Sequence, residues 1–309
     1  MSHIELPALD GRNPLGFLAT LGLHQLLTTH ADRDATLCWH PTTCLPSLGT
    51  EWFAALDELS AWLVELAIEQ SEEVLQPGWP PGFPPPGEAP DKLVPHRSAF
   101  PDVVKQHPGA ERLIGALVTD LAVNDTHRVR RTPMVAPTGK QSFSTMLTNQ
   151  DRHIRADPDL LRQALTRWRR IRDTTGEGFD GAAIIGGAED PRGRPGERAV
   201  SGAVWLAIAG LARYRLATDD RRRTTATAWR RVANNPLMVW PLWTPHLDTD
   251  AILVLLEHPD VTVRCDQHGT LMPRNDLTPL GVTRICAAER IGGGNSDGPL
   301  IPVRVQPPR

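Results

Sequence analysis

The feature that most restricts the fold of this sequence is a proline-rich stretch between positions 77 and 101. Nine prolines fall within it, in QPGWPPGFPPPGEAP and the residues that follow. Because proline fixes φ and lacks a backbone N–H, the stretch cannot form regular helix or central strand, and it favours extended polyproline conformation. It also cannot supply the backbone donors that a buried segment must pair. We therefore predict a long surface loop or a linker, whose Trp79 and Phe83 would dock on a partner or on the chain's own domain.

Helix-start signals and apolar periodicity predict helices on both sides of this stretch. Asn13-Pro14 combines a capping side chain with a proline preset for the first turn, so a first helix is predicted at about 13–29. Further helices are predicted at 51–75, which is acidic and amphipathic, at 109–123, at 160–173 after Asp157-Pro158, at 200–216, and from Asp248 to Leu256.

Strand-like segments concentrate near the C-terminus. They are VWPLW at 239–243 and the segments near 261–264, 281–287 and 301–305. The predicted fold class is α+β, rich in helix, with a small mixed or antiparallel sheet contributed mainly by the C-terminal third. We divide the chain into an acidic helical part at 1–75, a proline-rich loop at 76–102 and a basic helical and mixed part at 103–309, packed with 1–75 as one globular unit.

The charges of the chain are segregated along its length. A net charge of −3 combines −11 in residues 1–125, +10 in residues 126–235 and −2 in residues 236–309. Nearly all of the basic residues are arginine, whose planar guanidinium suits phosphate groups, so the middle third predicts binding to a polyanion. Two alternatives stay open, namely that the arginines pair with the acidic first third, or that a GC-rich genome has raised the arginine content.

The segment HRVRRTPMVAPTGKQSFS at 127–144 has part of a phosphate-loop pattern. It departs from that pattern because Met134 stands where the first glycine belongs, Pro137 removes an amide, and Gln141 replaces the metal-binding hydroxyl. Motifs of nucleases, hydrolases and dinucleotide-binding enzymes are also missing from the sequence. We therefore expect a protein without enzymatic activity and without a cofactor.

Cysteine and histidine do not have the spacing of a zinc site, so we predict no metal. The candidate ligands are Cys38, His40, Cys44, Cys265 and His268. Four scattered cysteines also do not make a disulfide framework, no apolar run is long enough to cross a bilayer, and no secretion signal is visible. These features indicate a protein of the cytoplasm.

Two basic segments are the predicted contacts for nucleic acid. The first has basic and polar donors around a glycine, and the second would display arginines on the exposed surface of the helix predicted at 160–173. The first set is Arg128, Arg130, Arg131, Lys140 and Gln141. The second set is Arg167, Arg169, Arg170 and Arg172.

Five short motifs follow one another along the chain in an order that resembles a known family. They are LPALDGRNPLGFLATLGLHQLL, PTGKQSFSTML, AVSGAVWLAIAGLARYRLA, MVWPLWTPHLD and GVTRICAAERIGGG. Together they resemble proteins encoded beside type I-G (formerly I-U) CRISPR effector genes, which begin their first helix with Asn-Pro-Leu-x-Phe-Leu-Ala-x-Leu-Gly. Residues 173–198 keep little of this resemblance beyond composition.

The resemblance implies a bacterial antiviral defence protein, either the large subunit or an accessory subunit of an RNA-guided, DNA-targeting ribonucleoprotein complex. Its partners would be crRNA, target DNA and other Cas effector subunits, with no membrane and no small-molecule substrate. The basic segments would bind the nucleic-acid backbone, and the acidic helix at 51–75 would contact a protein partner. The alternative is an adaptor that links the effector to its helicase-nuclease without itself binding nucleic acid.

Overall fold

Helices and small antiparallel sheets alternate along the chain and give an α+β fold, which confirms the predicted class. The structure, a computed structural model, describes residues 1–86, 91–135, 142–172, 174, 176–185, 198–218, 223–233, 235–292 and 298–307. Within these residues, none of the helices is both long and apolar enough to cross a bilayer.

The elements follow one another with short connections. The α-helices are α1 (Pro14–His30), α2 (Leu56–Ile68), α3 (Phe100–Gln106), α4 (Glu111–Leu117), α5 (Phe143–Ala156), α6 (Asp159–Thr166), α7 (Ala182–Ile185), α8 (Ser201–Ala209) and α9 (Thr249–Glu257). The strands are β1 (Ser2–Glu5), β2 (Thr36–Trp39), β3 (Pro46–Thr50), β4 (Val118–Val123), β5 (Val129–Arg131), β6 (Ile171–Arg172), β7 (Arg198–Ala199), β8 (Leu216–Thr218), β9 (Thr224–Ala226), β10 (Trp229–Val232), β11 (Asn235–Trp243), β12 (Val263–Cys265), β13 (Leu271–Pro273), β14 (Val282–Arg290) and β15 (Leu300–Val303). Short 3₁₀ helices lie at Arg97–Ala99, Gly210–Arg213 and Thr278–Leu280.

Helices α1 and α8 cross closely at the centre of the fold. Helix α1 begins as predicted, since the Asn13 side chain accepts from the Leu15 backbone N–H at 2.9 Å and proline occupies the first turn. Every residue of α8 is buried. A Cβ added to Gly22 would lie 1.7 Å from the Leu206 carbonyl oxygen, so only glycine fits this crossing.

The largest sheet lies in the C-terminal third, with strand order β10-β11-β14-β15 and antiparallel pairing throughout. Strand β11 contains the Trp-Pro-Leu-Trp motif and packs on the N-terminal elements. Trp240 donates from Nε1 to the Gly11 carbonyl at 2.8 Å, and Trp243 donates from Nε1 to the Leu37 carbonyl at 2.7 Å. Phe17 of α1 stacks on Trp240 with ring centroids 5.5 Å apart. One hydrophobic core therefore joins the two ends of the chain.

Four of the predicted helices are too long. The helix predicted at 109–123 ends at Leu117, and residues 118–123 form β4, because their β-branched side chains pair with β5 across a tight turn. The helix predicted at 160–173 ends at Thr166, where the Trp168 indole donates to the Ala164 carbonyl at 3.2 Å and occupies an end-of-helix acceptor. The acidic helix predicted at 51–75 is shorter, since α2 covers only Leu56–Ile68. The helix predicted at 200–216 ends at Ala209.

The proline-rich stretch is anchored in the core by its aromatic residues. Phe83 is fully buried and Trp79 nearly so, with their ring centroids 5.7 Å apart. Trp79 and Phe83 therefore dock on the chain's own domain, which is one of the two predicted alternatives, and the prediction that the stretch lies outside the core is wrong. Pro81 and Gly82 between them are exposed. The aromatic rings bury apolar area without requiring backbone donors, which is how a proline-rich segment can contribute to a core.

Candidate nucleic-acid interface

Strand β5 contains Arg130 and Arg131 of the first predicted basic cluster and directly follows Arg128. The strand is held between β4 and the segment at 94–97. The buried Val129 donates its backbone N–H to Pro95 at 3.0 Å, and Arg97 donates its own to His127 at 2.9 Å. The Arg128 guanidinium also donates to the Val94 carbonyl at 2.9 Å. The end of the proline-rich stretch and the basic cluster are thereby joined into one surface.

The turn that leads into β5 is fixed by Asn124. Its side-chain oxygen accepts from the backbone N–H of Thr126 at 3.0 Å and from that of Arg128 at 2.9 Å. His127 has a φ of 55°, the left-handed conformation that a tight turn of this kind requires. Asn124 thus determines where the β5 side chains begin to alternate.

A cleft of about 380 Å³ opens beside this strand. Val129 points into the core, so the alternation of extended backbone puts its two neighbours on the opposite face. These neighbours are Arg128, directly before β5, and the exposed Arg130 within it. The His96 and His127 rings lie 6.0 Å apart at the same place. The basic and imidazole side chains that line the cleft are Lys92, His96, His107 and Arg128.

Asp91 is the acidic side chain of the cleft lining, and it is already occupied by hydrogen bonds. Its carboxylate accepts from the backbone N–H of Leu93 at 3.1 Å and from that of Phe143 at 2.9 Å. Burial raises the pKa of Asp91, while these two bonds and the nearby Arg131 oppose the rise. Asp91 therefore attaches the start of α5 to the cleft wall, and Arg131 offsets its charge.

The structure places Arg130 and Arg131 of the first predicted set on β5 and Arg128 directly before it. Lys140 and Gln141, the remaining two members, lie outside the described residues. Arg131 interacts with Asp91, so within this set Arg130 is the exposed side chain and Arg128 the half-buried one.

The second predicted set does not form an exposed helical face, because α6 ends before it. Arg170 pairs with the buried carboxylate of Asp180 and also donates to the Arg198 carbonyl at 3.2 Å. Arg169 pairs with Asp157. Arg170 is a structural residue, and the exposed members of the set are Arg167, Arg169 and Arg172.

Sequence reasoning missed the cleft residues that come from outside the basic third. They lie in the part of the chain that carries −11, where a local charge count hides them, and they reach the cleft through pairing of residue 96 with residue 128. These residues are Lys92, His96 and His107.

Within the described residues, no three side chains of the metal-ligating types come together as a metal site. Of the zinc candidates, Cys38 is half-buried with its Sγ 3.3 Å from the His246 Nε2, Cys44 is buried and Cys265 is exposed. No protein-family model matches the chain, and no curated protein is detectably similar to it.

Proposed function

We propose that this protein is a non-catalytic nucleic-acid-binding subunit of a type I-G CRISPR effector complex in the bacterial cytoplasm, where it contacts the backbone of crRNA or target DNA. The cleft beside β5 is the binding surface. Phosphate contacts by lysine and arginine release counterions and carry most of the affinity in such interfaces.

The observation that supports this proposal is the convergence of basic side chains from distant parts of the chain on one cleft. Lys92 and Arg128 line it, and Arg130 extends the same face along β5. The acidic group present, Asp91, is engaged by backbone N–H groups and Arg131, so the surface keeps an excess of positive charge. Imidazole rings beside the cations supply flat surfaces on which bases stack.

The adaptor function is the second candidate, and a different surface favours it. Trp52 is 63% exposed just before α2, and Ile68 at the far end of that helix is also exposed. Between them, Asp57, Glu58 and Glu65 face solvent. An exposed tryptophan is typical of a protein-binding surface, and the carboxylates beside it would form a polar rim.

Fluorescence anisotropy with labelled RNA and with single- and double-stranded DNA, over a range of salt, tests the proposal. The cleft variant replaces Lys92, Arg97 and Arg130 by alanine, all of which are exposed. We expect it to bind every sequence more weakly and to reduce the log-log salt slope by about 2 to 3 units. The charge-matched control replaces Arg33, Arg264 and Arg274, exposed at distant places, by alanine and should keep most of the slope.

Equal slopes for the cleft and control variants would contradict the proposal. The adaptor function predicts a different pattern in co-expression with the neighbouring effector subunits. Trp52→Ala would then abolish co-purification, whereas the cleft variant would co-purify normally and bind nucleic acid no differently from the wild type.

A further inference from the structure

Arg213, in the 3₁₀ helix that follows α8, is a buried cation that forms no ion pair with any described residue. The residue is 2% exposed. One terminal nitrogen donates to the Thr28 hydroxyl at 3.2 Å, but Nε and Nη1 are buried and have no hydrogen-bond partner among the described residues. Burial, reinforced by the charge of Arg112, lowers the pKa of Arg213 to about 10. A buried guanidinium without a paired anion costs free energy of folding, and a bound anion would offset that cost.

The hydroxyl of the next residue, Tyr214, is also buried without a hydrogen-bond partner among the described residues. Burial also raises the pKa of Tyr214, so the hydroxyl keeps its proton and remains a donor. Two consecutive residues therefore hold buried donors that no described residue accepts.

Both residues line a cavity of about 460 Å³ between α4, β8 and α9. The exposed Arg112 lines it as well, and the Arg215 charge at its edge is balanced by Glu257. Neither Glu257 nor the second lining carboxylate, Glu111, is within ion-pair distance of Arg213. The remaining wall is apolar and includes Ala116, Ala212, Leu216 and Leu253.

We propose that this cavity binds a small organic oxyanion, whose phosphate or carboxylate group is held by Arg213, Arg112 and the Tyr214 hydroxyl. A planar guanidinium matches either group with two parallel hydrogen bonds. The apolar wall receives the organic part of the ligand, and the volume lies within the range of small-molecule sites. The residues that carry this site are separate from those of the β5 cleft, so the two proposals stand independently.

Thermal unfolding with added anions tests the site. The probes are inorganic phosphate, adenosine monophosphate, succinate and citrate, each compared with sodium chloride at equal ionic strength. We expect at least one oxyanion to raise the Tm of the wild type by about 2–6 °C at millimolar concentration, and chloride to have no such effect. Which probes succeed separates a phosphate ligand from a carboxylate ligand.

Arg213→Met removes the charge while keeping an apolar side chain of similar length. We expect this variant to lose the oxyanion-induced shift and to be at least as stable as the wild type without ligand, because no unpaired charge is then buried. Tyr214→Phe is the milder variant and keeps the fold, with an expected five- to tenfold loss of affinity measured by calorimetry. Nucleic-acid binding at the β5 cleft should be unchanged in both.

Three results would overturn the site: oxyanions that act no more strongly than chloride on the wild type, a shift that persists in Arg213→Met, or an affinity that Tyr214→Phe leaves intact. If Arg213→Met does not fold, the Tyr214→Phe calorimetry decides alone.

Discussion

The indole N–H of Trp240 donates to the carbonyl oxygen of Gly11 at 2.8 Å, across 229 positions of the sequence. It connects the strand of the Trp-Pro-Leu-Trp motif to the turn immediately before the Asn-Pro-Leu motif. The two motifs that carry much of the family resemblance are therefore packed against each other in one core. The residues proposed to bind nucleic acid lie elsewhere.

Trp240→Phe should lower the free energy of unfolding by about 2–4 kcal/mol. The variant keeps an aromatic ring against Phe17 but leaves the Gly11 carbonyl buried without its donor and opens space beside it. Urea unfolding followed by circular dichroism measures the change. The matched control is Trp52→Phe at an exposed position, where we expect an effect within about 0.5 kcal/mol. Equal effects at the two positions would show that the hydrogen bond contributes little.

Gly22→Ala should destabilise the protein strongly, by about 3 kcal/mol or more, because the new Cβ would collide with backbone at the crossing of α1 and α8. Gly115→Ala is the control within another helix, since a Cβ there meets nothing within 4 Å. That variant should instead gain about 0.5–1 kcal/mol from helix propensity. The Tm values of the two variants measure the difference. If Gly22→Ala unfolded at the same Tm as the wild type, the close crossing of α1 and α8 would be contradicted.

Local signals predict the parts of the fold that local physics decides. The Asn13 and Asp248 side chains cap α1 and α9 as expected, because a cap depends on residues two or three positions away. For residues 118–123 the same signals wrongly predict helix, because the pairing of this segment with β5 lies outside any helical window. The site is predicted only in part for the same reason, since it depends on contacts between distant segments.

The sequence also does not predict which individual arginine side chains are buried. The arginines at 167–172 have similar neighbours in sequence, and only the fold shows that Arg170 is matched to a buried carboxylate while Arg172 is exposed. Arg213 ends a strongly apolar helical pattern, and nothing in that pattern distinguishes a buried guanidinium from one that reaches solvent.

Arg170→Ala should therefore cost about 2–3 kcal/mol, because it leaves the Asp180 carboxylate buried without its cation. Arg172→Ala, at an exposed position two residues away, should change the free energy of unfolding by less than about 0.5 kcal/mol. Chemical denaturation of the two variants measures this difference. Similar values for both would mean that the Arg170 pair is not structural.

Phe83→Ala should lower the free energy of unfolding by about 3 kcal/mol, since it empties a fully buried position in the proline-rich stretch. Pro81→Ala, at an exposed position of the same stretch, is the control and should cost less than about 1 kcal/mol. Deletion of 80–86 should be more damaging than either substitution, because it removes this anchor. If the deletion left the Tm within a few degrees of wild type, the stretch would be dispensable for folding.

His24 of α1 is fully buried and held neutral. Its Nε2 lies 2.9 Å from the Ala35 carbonyl oxygen. In the tautomer with the proton on Nε2, the ring donates a hydrogen bond to that oxygen. Burial and the charge of Arg213 lower the pKa of His24 from 6.5 to about 3, and the Ala35 bond and Asp32 only partly oppose this. Between about pH 6.5 and about pH 3, His24 is protonated in the unfolded chain but neutral in the folded protein. The contribution of His24 to stability is therefore complete above about pH 6.5 and is lost as the pH falls towards 3.

The loss should amount to about 1 kcal/mol for each pH unit below about 6. His24→Gln removes this titration. From about pH 7 to about pH 5, the free energy of unfolding of the wild type should therefore fall by about 2 kcal/mol more than that of the variant. Urea denaturation at several pH values measures it, and the difference between the two proteins cancels the titration of surface carboxylates. His268→Gln, at an exposed position, is the control and should run parallel to the wild type. A constant gap between wild type and His24→Gln would mean that His24 accepts its proton in the folded protein, and that the unpaired Arg213 beside it does not hold it neutral.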